Sequence, residues 1–281
     1  MNRPAPTSFE GVVQTREGPT FVKTIGRGPT VVVVHGGPGF DHAYLIPPLL
    51  PLADRRTLIF YDQPGCGRTP PPDDGLTPPK CFAHLRWLMD HFADGKPVGV
   101  IAHSWGALVL AGAASGAGRP ADRLPEISEG VLVNPMPVSS AAYESARAKL
   151  IAMIPATVRI RATLLALLTG NGSAVMRLLL PYYMFDPAAV PARDFPLDLA
   201  TYRKLDRQLK GFDYSADLEW LRNVTIFQGA HEFASPDDIA DLIAKAASFH
   251  VIENAGHFPF WEARDEFQGL LGTAFPPIET S

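Results

Sequence analysis

Three residues of this 281-residue chain have the types and the order that acyl transfer requires: Ser104, Glu232 and His257. A serine hydroxyl near neutral pH is a poor nucleophile until a base takes its proton and a third group orients that base. Ser104 stands in Val100-Ile101-Ala102-His103-Ser104-Trp105-Gly106-Ala107, where an apolar run leads into the serine and a small-residue stretch, Gly106 to Ala117, follows. That is the layout of a nucleophile elbow, a sharp strand-to-helix turn that lifts a serine hydroxyl above a sheet edge. Glycine usually stands on both sides of such a serine, and here Ala102 takes the first place. Glu232 follows the run Val224 to Gln228, and His257 follows Phe249 to Glu253. A Ser-x-Gly, a surface carboxylate or a lone histidine is each common by itself. The combined order, with every member at the end of its own expected strand, sets these three apart.

The chemistry also needs donors for a developing oxyanion. The backbone N–H of Trp105 is one candidate, and Gly37 in His35-Gly36-Gly37-Pro38-Gly39 is the other. Phe233, Tyr182 and Tyr183 are the expected substrate contacts, in an apolar setting that includes Leu164, Leu165, Leu167, Leu168, Leu178 to Leu180, Met184 and Phe185. His35 and His103 flank turns and read as structural hydrogen-bonding residues. Arg159, Arg161 and Arg177 read as a solvated face. His42, His84, His91 and His250 have no metal-ligand spacing, and Cys66 and Cys81 form no disulfide framework. No metal and no cofactor is expected.

The elements that must position these residues follow from periodicity. Phe9 to Gln14, Thr20 to Ile25, Thr30 to Val34, Arg56 to Tyr61, Val98 to Ala102, Glu129 to Asn134, Val224 to Gln228 and Phe249 to Glu253 read as strands. Continuous β-branched runs such as Val31 to Val34 mark strands buried on both faces. Helical spacing between them implies an α/β fold, a largely parallel sheet with helices on both faces. From Ser140 to about Asp217 no strand run occurs, and helical segments rich in Ala, Leu, Met and Arg replace it. Residues 1–137 and 218–281 are therefore expected to form the core, and residues 138–217 a helical cap. A net charge of −4 and a pI near 6.1 give no argument for nucleic acid or an anionic membrane. No leader-like segment is seen at the N-terminus, and a cytoplasmic protein acting on a small molecule is the expectation.

These residues resemble the α/β-hydrolase superfamily, in particular its proline iminopeptidase branch. The resemblance rests on His35 to Gly39, Asp62-Gln63-Pro64-Gly65-Cys66-Gly67-Arg68-Thr69, His103 to Gly106 and Gly256-His257-Phe258-Pro259-Phe260-Trp261-Glu262. It implies an eight-stranded sheet with a helical cap, Ser104 as nucleophile and His257 as base. The departures are informative. Glu232 stands where the family usually has Asp, and Pro64 where it has Arg. Aminopeptidase members hold the substrate's amino group with a Glu directly after the acid and another from the cap. Here Phe233 follows Glu232, and residues 187–218 contain no Glu. The expectation is a serine hydrolase of the esterase or amidase kind without that amine anchor. A true aminopeptidase, an acyltransferase or cyclase, and a catalytically silent binding protein are the alternatives.

Overall fold

The computed structural model describes residues 7–116, 124–190 and 195–277. Eight strands form one sheet: β1 (Thr7–Thr15), β2 (Gly18–Gly26), β3 (Thr30–Val34), β4 (Thr57–Tyr61), β5 (Val98–His103), β6 (Ile127–Val133), β7 (Val224–Gly229) and β8 (Ser248–Ile252). Their order across the sheet is β1-β2-β4-β3-β5-β6-β7-β8. β2 runs antiparallel to both neighbours, and every pairing from β4 to β8 is parallel. The mostly parallel α/β sheet expected from the β-branched runs is the one observed.

Alternation along each strand divides the core into two layers. Val32 and Val34 pack on one face with Phe82, Leu85, Leu88 and Met89 of α2 (Pro78–Ala93) and the apolar residues of α3 (Trp105–Ala114). Val31 and Val33 pack on the other with Leu45, Leu49 and Leu52. That apolar run holds a single α-turn, α1 (Ile46–Leu49), flanked by 3-10 turns at its prolines.

Between β6 and β7 the chain makes α4 (Ser140–Met153), α5 (Ala156–Thr169), α6 (Gly172–Leu179) and α7 (Leu199–Asp206). Helix α6 ends at Leu179 and tightens into a 3-10 turn containing Pro181, whose ring cannot continue an α-helix. After β7 come α8 (Ala240–Ile243), then α9 (Pro259–Glu262) and α10 (Arg264–Ala274) following β8. No single described helix is long and apolar enough to cross a membrane.

Candidate active site

Ser104 sits between β5 and α3 at φ 52°, ψ −119°, a conformation that costs an L-residue roughly 1–3 kcal/mol. Three backbone hydrogen bonds hold it there. Its N–H donates to Val133 (3.0 Å), and its carbonyl accepts from Ala107 (3.0 Å) and Met136 (3.1 Å). Gly106 lets α3 lie on β3, because a Cβ there would stand 2.4 Å from the Val34 carbonyl oxygen. Ala102, at the other usual glycine position, is buried in β5 beside Val34 and Leu132.

His257 follows β8, and its Nδ1 lies 2.8 Å from Glu232 Oε2. The Glu232 carboxylate is an acceptor, so Nδ1 carries the proton and leaves Nε2 as the basic nitrogen. Both side chains are nearly buried, 7% and 2% exposed, so the pair is little screened by water. Phe233 and Tyr183 pack against the imidazole at centroid separations of 5.1 and 5.4 Å. The His257 N–H also donates to the Tyr183 carbonyl at 2.7 Å. Gly256 permits this approach, since a Cβ there would meet the same carbonyl oxygen at 2.5 Å.

Ser104, His257, Glu232, Phe233, Tyr183 and Gly37 line one cavity of about 200 Å³. Tyr182 is not among the residues lining it. The leucines expected to form its apolar wall mostly do not: Leu164, Leu167 and Leu168 are exposed instead. Their helix docks through Ala162 and Ala166, which turns the leucines outward. The wall comes from Leu150, Val175, Met176, Leu179, Leu199 and Leu209. Gly37 has φ +125°, where a side chain would be strained. Trp105 begins α3, whose first N–H groups lack intrahelical acceptors and lie at the positive end of the helix dipole. Its indole is buried away from the cavity and donates to Gln63 Oε1 at 2.8 Å.

A relay of buried hydrogen bonds ties these pieces together. Gly36 N–H donates to the Tyr44 hydroxyl (2.6 Å), which pairs with His103 Nδ1 (2.7 Å). His103 Nε2 lies 3.0 Å from the His257 carbonyl, so the proton sits on Nε2 and Nδ1 accepts from Tyr44. Burial, with the His257 imidazole nearby, pushes the His103 imidazole well below its usual range and keeps it neutral. The glycine turn, the elbow and the histidine loop are thus one connected unit.

Two further residues carry structural tasks that local sequence does not reveal. Asn134, at φ 43°, donates from Nδ2 to the Gly256 carbonyl (2.9 Å) and accepts at Oδ1 from Gly229 N–H (2.8 Å). It fastens the β7 end, which leads to Glu232, to the loop carrying His257. Glu262 accepts from Gly256 N–H (2.9 Å), Phe185 N–H (2.6 Å) and Asp186 N–H (3.1 Å), and so joins the helical insert to that loop. Burial raises its carboxyl, against the pull of these donors. The only local hint of Asn134 is a polar residue ending an apolar run before Pro135. Glu262 ends the Gly256 to Glu262 motif, where nothing in the sequence assigns it a task.

The sequence profile of the Alpha/beta hydrolase family matches residues 31–268, and the protein belongs to that family. It is 33% identical over 100 residues to a proline iminopeptidase of Lactobacillus crispatus, covering 32% of this chain and 33% of that one. A proline iminopeptidase of Saccharolobus solfataricus is 37% identical over 93 residues, covering 31% and 29%. The matches thus span about a third of the length of these curated relatives. Fold likeness extends much further. A proline iminopeptidase-related protein from Thermus thermophilus superposes with a TM-score of 0.69 at 19% identity, covering 95% of this chain and 97% of that one. The proline iminopeptidase of Mycobacterium smegmatis gives 0.63 at 22% identity, with the same coverage. Family and relatives together mark a proline iminopeptidase-like member of the α/β-hydrolase family.

Proposed function

We propose that this protein is a serine hydrolase that cleaves an ester or amide of a small, largely apolar acyl or aryl compound through a Ser104 acyl-enzyme. The observation that carries the reading is the shared cavity: Ser104 on its constrained turn, facing the same space as an imidazole whose Nδ1 is held by Glu232. His257 Nε2 takes the hydroxyl proton as Ser104 Oγ bonds to the substrate carbonyl carbon. The carbonyl π electrons move to oxygen, where the N–H groups of Gly37 and Trp105 receive the negative charge. Collapse of this intermediate breaks the bond to the leaving group, which takes its proton from His257. Water, deprotonated by the same nitrogen, then releases the acid and regenerates Ser104. An apolar cavity of about 150 Å³ admits a benzene-sized ring, so about 200 Å³ suits a single ring or a short acyl chain. The helical insert, residues 138–217, acts as the cap that shapes this space.

Phe233 argues against an amine anchor, because burying an ammonium without a carboxylate partner costs several kcal/mol. One observation favours the aminopeptidase reading as a second possibility: Asp206 lines the cavity. Its carboxylate is already engaged, accepting from the Tyr143 hydroxyl at 2.9 Å and lying 3.7 Å from Arg147 Nη2. Asp198 caps α7, Asp213 accepts from Ser215, and Asp194 lies outside the described residues. The test is hydrolysis of free and N-acylated proline anilides beside short- and medium-chain aryl esters, by wild type and Ser104→Ala. Turnover of esters or capped amides, lost in the variant, is expected. Turnover confined to the free-amine anilide, and lost again in Asp206→Asn, would replace this reading with the aminopeptidase.

A further inference from the structure

Helix α5 is built inside out. Its buried residues are the small ones, Ala162 and Ala166, which pack on Val175 of α6. Its large apolar residues point to solvent: Ile160 is 59% exposed, Leu164 51%, Leu167 69% and Leu168 82%. Scattered exposed leucines need no explanation, but these recur at i, i+4, i+7 and i+8 and make one continuous stripe. Monomeric proteins rarely leave such a stripe uncovered without a use for it.

Charge says what covers it. Between Glu144 and Asp186 the sequence has no acidic residue, while Arg147, Lys149, Arg159, Arg161 and Arg177 give the segment +5 in a chain of net charge −4. Arg147 and Lys149 are paired with Asp206 and Asp238, and Arg177 is engaged in an interaction as well. Arg159 and Arg161 flank the stripe on α5, and Arg177 faces it across a groove floored by Leu164, Leu165, Leu168 and Leu178. A second copy docking face to face by a two-fold axis would bring one cationic edge against another. An apolar stripe edged by cations matches the apolar and anionic layers of a lipid surface.

We infer that α5 and the adjoining face of α6 form a docking surface for anionic membranes, placing the catalytic cavity beside the lipid. Helix α6 stands between them: Ala174, Arg177 and Leu178 face the groove, whereas Val175, Met176 and Leu179 line the cavity. A helix is about 10 Å across, so an apolar substrate dissolved in the bilayer is delivered within that distance of the cavity. The docking surface is independent of the chemistry proposed for Ser104.

Co-sedimentation with vesicles tests it, using Ser104→Ala protein so that turnover plays no part. Phosphatidylcholine vesicles containing phosphatidylglycerol are expected to bind the protein, and pure phosphatidylcholine to bind it much less. A basic residue near such a surface contributes about 1 kcal/mol, so Arg159→Gln with Arg161→Gln is expected to weaken binding about 25-fold. Leu164→Ser, Leu167→Ser and Leu168→Ser together are expected to abolish it. In the otherwise wild-type background the same triple variant should keep its hydrolysis of a soluble ester and its melting temperature. Absence of binding to the anionic vesicles, or binding that survives the leucine changes, would overturn the inference. So would a dimer in solution that the triple variant converts to monomer, which would make a second copy the occupant.

Discussion

Around Ser104 the largest side chains point inward, and along α5 they point outward. β5 and α3 bury every apolar residue they carry up to Ala113, Trp105 and Leu108 included, and the elbow between them is tied by hydrogen bonds to β6 and to the loop after it. α5 holds on through two alanines. The sheet edge is therefore over-determined: a strained serine persists because neighbours on several strands hold its backbone. The helical insert is under-determined, and its sequence is free to answer to whatever lies outside the protein or enters the cavity. On the proposed reading, rigidity serves the reacting groups, and the insert is left for selection of substrate and surface.

Substitutions on the two sides should differ sharply, and the largest effect falls on activity. Ser104→Ala or His257→Ala is expected to lower kcat by about 10⁴ or more while leaving the melting temperature nearly unchanged. Glu232→Gln, which keeps the shape but removes the charge that orients His257, is expected to lose on the order of 10⁴. Steady-state kinetics on the best ester of the panel checks both. Loss below tenfold in either case would dissolve the distinction between reacting edge and insert.

Acid should attack the sheet side first. Burial lowers the imidazoles of His35 and His103 and pushes His84 down to about 3, and all three belong to the sheet core rather than to the insert. A group whose folded pKa is depressed lends stability that is complete above its unfolded value and is lost as pH falls. Below about pH 6.5 each such histidine costs up to about 1.4 kcal/mol per pH unit, so the three together cost about 4 kcal/mol per unit until their folded values are reached. Urea titrations between about pH 7 and about pH 4.5 should show a steep decline, which His84→Phe makes shallower. A flat profile would mean that these rings are not held neutral.

Packing predicts the smaller contrast. Leu108→Ala, at a fully buried position, should cost about 2–5 kcal/mol. Leu168→Ala should change stability by no more than about 0.5 kcal/mol. Equal costs in denaturant unfolding would show that α5 is covered in the folded monomer.

The same contrast explains what the amino-acid sequence makes legible. Continuous β-branched runs announce themselves: the strand expected over Thr30 to Val34 matches β3 to the residue, because a strand buried on both faces must be continuously apolar. Ser104, Glu232 and His257 stand out as candidates because each comes after the end of an expected strand. The phase of α5 is not. Its leucines satisfy helical spacing whichever face is buried, and only the fit of Ala162 and Ala166 against α6 decides the matter. Asn134 is hidden for another reason. Its partners, Gly229 and Gly256, lie 95 and 122 residues away, beyond the reach of any local pattern.

Covalent labelling tests the nucleophilic role proposed for Ser104. The protein would be treated with a fluorophosphonate, digested, and its modified peptide sequenced by mass spectrometry. One adduct is expected, on Ser104, absent from Ser104→Ala and formed much more slowly in His257→Ala. No adduct, or an adduct on another residue that persists in Ser104→Ala, would contradict it.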